Sequence, residues 1–100
     1  MSEIELAVRA IFNSYYYNRE ISYMIKLCRE CLDRMNQSKN INRTYDGDII
    51  YGFLVLRYGN YGTSPRSGWI EGGYLDDITN CINVLIEEYA LIEEEENEEN

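Results

Sequence analysis

The chain of 100 residues contains no histidine. That removes the commonest general base and the commonest metal ligand, and with them any Ser–His–Asp or Cys–His arrangement within one chain. No apolar run approaches the ~20 residues of a membrane-spanning helix, so no membrane association is expected. The opening Met-Ser-Glu-Ile-Glu-Leu has no basic region leading into an apolar stretch, and no signal peptide is expected. Cysteine is scarce and odd in number, with Cys28, Cys31 and Cys81 only. Such a set fits free thiols in a reducing cytoplasm better than a disulfide framework. Cys28 and Cys31 form a C-x-x-C inside a helical pattern, short of the four ligands a structural zinc site wants. No metal and no cofactor is expected, and the expected compartment is the cytoplasm (a host cytoplasm for a virus-encoded chain).

Bases are also few: nine Lys and Arg against eighteen Asp and Glu, a formal net charge of −9. Six of the eighteen acids are Glu93, Glu94, Glu95, Glu96, Glu98 and Glu99. Residues 1–92 are therefore nearly balanced and are read as one α+β domain, followed by a disordered acidic tail over 93–100. The acid excess argues against direct nucleic-acid binding, because phosphates would be repelled.

Apolar spacing organises the rest. Ser2 and Glu5 form a capping box, and Ile4, Val8, Ile11 and Tyr15 fall on one helical face. After Asn18 a second register follows in Ile21, Ile25, Cys28, Leu32 and Met35. The N-terminal third is thus either a long helix with a shift of face or a helix pair. The polar run 36–40 ends it. Ile41, Arg43 and Tyr45 alternate with polar residues, and Asp46-Gly47 then carries a hairpin signal. Ile49 to Tyr58 is nearly continuous apolar sequence, read as a strand covered on both faces. A short strand around Trp69 and Ile70 completes a three-stranded antiparallel meander, and a last helix runs from about Tyr74 to Glu93. A sheet that small has edges to protect, so a homodimer is expected.

Residues 58–69, Tyr-Gly-Asn-Tyr-Gly-Thr-Ser-Pro-Arg-Ser-Gly-Trp, hold the chain's single proline and single tryptophan. Gly59 to Gly68 would make a connection longer than a hairpin loop needs. Thr63, Ser64 and Ser67 offer hydroxyls and Arg66 a planar donor fork for a phosphate or carboxylate. Tyr58, Tyr61 and Trp69 are suited to stacking or to anchoring an interface. The Gly-Lys-Ser/Thr ending of a P-loop is missing. Tyr15-Tyr16-Tyr17 spans about 200° of a helix surface, so all three cannot face one core, and Tyr16 and Tyr17 become candidate contact residues.

Two functions fit this chemistry. The first is a small acidic non-enzymatic protein that inhibits a partner with a basic surface, in the manner of a viral anti-defence protein or an immunity-type inhibitor of a nucleic-acid-processing enzyme. The alternative is a binder of a nucleotide or another anionic small molecule through the 58–69 loop.

Overall fold

The computed structural model describes residues 2–16, 19–36, 45–58 and 73–98, and these residues form four helices. They are α1 (Glu3–Tyr16), α2 (Ile21–Met35), α3 (Tyr45–Tyr58) and α4 (Tyr74–Glu98). The glutamates of 93–98 thus continue α4, where Glu94 to Glu98 are exposed.

Local chemistry accounts for most helix ends. The amide of Glu5 donates to Ser2 Oγ at 3.1 Å, capping α1. Glu3 and Glu5 sit at the positive pole of α1, as do Asp76 and Asp77 in α4. At the C-terminus of α2, Asn36 donates to the Leu32 carbonyl through its amide at 3.0 Å and through Nδ2 at 2.9 Å. Carbonyls that a helix end would otherwise leave unpaired are satisfied in this way. Gly73 precedes α4 with φ 74°, a conformation that costs glycine little and other residues more.

The core is built around α2, which packs chiefly on α4 and also on α3; α1 lies against α4 and touches α2 and α3. Val8 and Phe12 of α1 are fully buried with Met24, Leu27, Cys28, Cys31 and Met35 of α2. Ile50 and Leu54 of α3 and Ile78, Ile82, Leu85 and Tyr89 of α4 complete this core. Cys28 is therefore a packing residue, its thiol pushed up to about 12 by burial.

The expected α+β fold with a three-stranded meander is overturned, since the described residues contain four helices and no strand. The segment read as a covered strand, Ile49 to Tyr58, is the body of α3, and Asp46-Gly47 is not a hairpin turn but the first turn of that helix. Asp46 and Asp48 there meet the positive helix pole, and Arg57 meets the negative one. Buried Gly47, Ile50 and Leu54 recur at helical spacing, while Phe53 and Leu56 face out. The first expected strand begins at positions 41–44 and the third lies at Trp69, all outside the described residues. With the sheet gone, so is the sheet-edge argument for a homodimer.

Candidate functional site

Of the nine candidate contact residues, the structure describes Tyr16 and Tyr58. Tyr17, Tyr61, Thr63, Ser64, Arg66, Ser67 and Trp69 lie outside the described residues. Tyr58, at the end of α3, meets Tyr74, at the start of α4, with ring centroids 5.1 Å apart. Arg57 Nε donates to the Tyr58 hydroxyl at 3.1 Å. These three residues, with Ser2, Glu3 and Ile4, line an open groove of about 520 Å³ at the N-terminal end of α1.

Tyr16 lies at the other end of α1. Its ring stacks on buried Tyr89 at 5.8 Å with the planes 9° apart. Burial pushes the Tyr89 hydroxyl up to about 12. Tyr16 borders a second open groove, of about 420 Å³, with Arg19, Glu20, Ile21, Ser22, Glu93, Glu96 and Asn97. Fourteen helical residues separate the two grooves by roughly 20 Å, so the structure does not bring Tyr16 and Tyr58 into one site.

Three polar clusters that the sequence did not announce hold the helices in register. Arg9 Nη1 and Nη2 donate to Glu88 Oε2 and Oε1, each at 2.7 Å, which is a bidentate fork joining α1 to α4. Glu5 adds an ion pair to the same guanidinium at 3.2 Å. Asp46 accepts from Arg19 at 3.1 Å and from the Tyr23 hydroxyl at 2.9 Å, tying the α1–α2 junction to the start of α3. Arg34 pairs with Asp48 at 3.3 Å and lies 4.4 Å over the Tyr51 ring, joining α2 to α3. Only the opposite charges themselves could have signalled these pairs, and partners 79 positions apart leave no local pattern.

The Arg9–Glu88 fork has a pH signature. Hydrogen bonding from Arg9 holds the Glu88 carboxyl below its ordinary value. A depressed folded-state value adds stability above the unfolded carboxylate range, and this is lost as pH falls through the folded value. Glu88 is 45% exposed, so screening limits the contribution to about 0.5–1 kcal/mol. Urea titrations should show Glu88→Gln costing that much at neutral pH and nothing once acid has protonated Glu88. An equal cost at both ends of the titration would contradict the ionic fork.

The two other thiols are shifted upward chiefly by loss of solvent, Cys31 being buried and Cys81 half-buried. Among the described residues no three His, Cys, Asp or Glu side chains converge as a metal site would need, and no helix is long and apolar enough to cross a membrane. No protein-family model, curated protein or solved structure matches the chain.

The end of α4 differs from the rest of the surface. Glu93, Glu94, Glu95, Glu96 and Glu98 occupy its last turns, and no basic residue stands in the last turn. Glu94 and Glu98 are four apart, and Glu93–Glu96 and Glu95–Glu98 three apart, spacings at which like charges repel. The negative pole of the helix dipole adds to the repulsion. Glu93 and Glu96 also line the groove beside Tyr16, so the acids and the exposed aromatic ring share one surface.

Proposed function

We propose that the chain is a non-enzymatic binding protein that inhibits a partner by occupying its basic surface. The contact face is the acidic end of α4 with the adjoining Tyr16 groove. The partner class that fits is an enzyme with a basic nucleic-acid cleft, as in immunity-type or anti-defence inhibition. The observation that carries this reading is the electrostatic conflict at the end of α4. Carboxylates are concentrated where a helix favours cations, and a basic partner relieves both the mutual repulsion and the unfavourable dipole term. Tyr16, 37% exposed and stacked on Tyr89, supplies an aromatic contact with little freedom left to lose. The −9 net charge would steer the encounter with a basic surface.

The test is titration of the chain against purified nucleases with basic clefts, reading heat of binding and inhibition of cleavage at low and high salt. Binding should weaken as salt rises. Removal of residues 93–100 should lower affinity at least about tenfold, while the melting temperature holds or rises because self-repulsion is removed. If the shortened chain binds and inhibits as well as the full one, α4 is not the contact face and the reading fails.

A further inference from the structure

The outer face of α3 is apolar and exposed. Tyr45 is 81% exposed, Phe53 47% and Leu56 62%, with Ile49 half-buried between them. At about 100° per residue, Tyr45, Ile49, Gly52, Phe53 and Leu56 fall on one stripe opposite the buried Gly47, Ile50 and Leu54. Gly52 sits in the middle of that stripe. Among the described residues a Cβ there would meet nothing within 4 Å, so their packing does not require the glycine, yet mid-helix glycine weakens a helix. A glycine on an outward apolar stripe lets a second helix approach closely.

We infer that two copies of this chain associate through α3, in an antiparallel pair whose twofold axis passes between Gly52 and Phe53. The registry is self-complementary. With that centre, Ile49 of one copy lies level with Leu56 of the other. Phe53 meets its own counterpart on one side of the axis, and the Gly52 backbones approach on the other. The helix dipoles select the orientation, opposed in an antiparallel pair and aligned in a parallel one. Asp46 and Asp48 at the start of α3 are already paired within the chain, with Arg19 and Arg34. One helical stripe per copy is smaller than the ~800 Å² per partner of a standard interface, which puts the dissociation constant in the micromolar range.

The test is sedimentation equilibrium of the full chain from about 1 to 500 µM, spanning that range. The wild type should pass from monomer to dimer, and more completely at high salt because each copy carries −9. This is the opposite salt dependence to binding of a basic partner. Phe53→Lys should weaken dimerisation at least about 100-fold, with helicity by circular dichroism kept, because the side chain is outside the core. Gly52→Ala should raise the melting temperature of the monomer and still weaken the dimer. A mixture of Ile49→Cys and Leu56→Cys chains should cross-link to each other in preference to themselves. A chain that stays monomeric throughout, a dimer indifferent to Phe53→Lys, or cross-linking of like variants would overturn the proposal.

Discussion

Leu54→Ala is expected to lower the free energy of unfolding by about 2–5 kcal/mol, and Leu56→Ala by less than about 1 kcal/mol. The comparison is made by urea denaturation at concentrations low enough to keep the chain monomeric. Leu54 is fully buried and Leu56 is 62% exposed. The same residue type is removed in both, so transfer chemistry is matched and only position differs. In a strand the two side chains would project from one face and cost alike. In α3 they lie about 200° apart around the axis. Leu54 belongs to the core with Ile50, one helical turn earlier, against α2. Ile50→Ala should therefore behave as Leu54→Ala does. Equal costs at 54 and 56 would restore the strand and remove the basis for the α3 pair.

The same segment shows what the sequence could and could not convey. Ile49 to Tyr58 is apolar nearly throughout, so a period of 2 and a period of 3.6 fit it equally. Its Ile, Val, Phe and Tyr residues favour strands, and Asp46-Gly47 imitates a hairpin turn. What the pattern did convey is that both sides of this element are apolar. That remains true of α3, whose inner side meets the core and whose outer side is exposed. The other helices were legible because polar residues interrupt them at helical spacing. Ile21, Ile25, Cys28 and Met35 are buried on α2, and Ile78, Ile82, Leu85 and Tyr89 on α4. The exposure of Tyr16 was legible because three consecutive tyrosines cannot share a core. Asp46 was not, because an aspartate before glycine has a sufficient local explanation, and its partners Arg19 and Tyr23 lie 27 and 23 positions away. The acid run was legible in composition but not in form, since like charges argue for coil and α4 nevertheless continues through Glu98.

Phe12→Ala should be the most damaging single truncation in α1, at about 3–5 kcal/mol. The spacing of Ile4, Val8, Ile11 and Tyr15 puts those four on the inner face and leaves out Phe12, whereas the structure centres the buried face between Val8 and Phe12, with Ile4, Ile11 and Tyr15 partly buried against the core. Phe12 and Val8 are fully buried, while Ile11 is half-buried. Phe12 is among the largest side chains removed completely from solvent, and interior packing leaves no neighbour free to fill the space of a lost ring. A domain of this size is stable by only about 5–15 kcal/mol, so the variant would sit near the edge of folding. Ile11→Ala removes a side chain that is already partly in water and should cost about 1 kcal/mol. The Arg9–Glu88 fork would still tether α1 to α4, but at no more than about 1 kcal/mol it cannot offset the loss. Hydrogen exchange of the Phe12→Ala protein should therefore show α1 amides losing protection before those of α2 and α4, which share most of the core. If Ile11→Ala proved the costlier of the two, the face α1 turns inward would be the one its sequence spacing indicates. The bidentate alignment of Arg9 with Glu88, which depends on the same rotation of the helix, would then be lost as well.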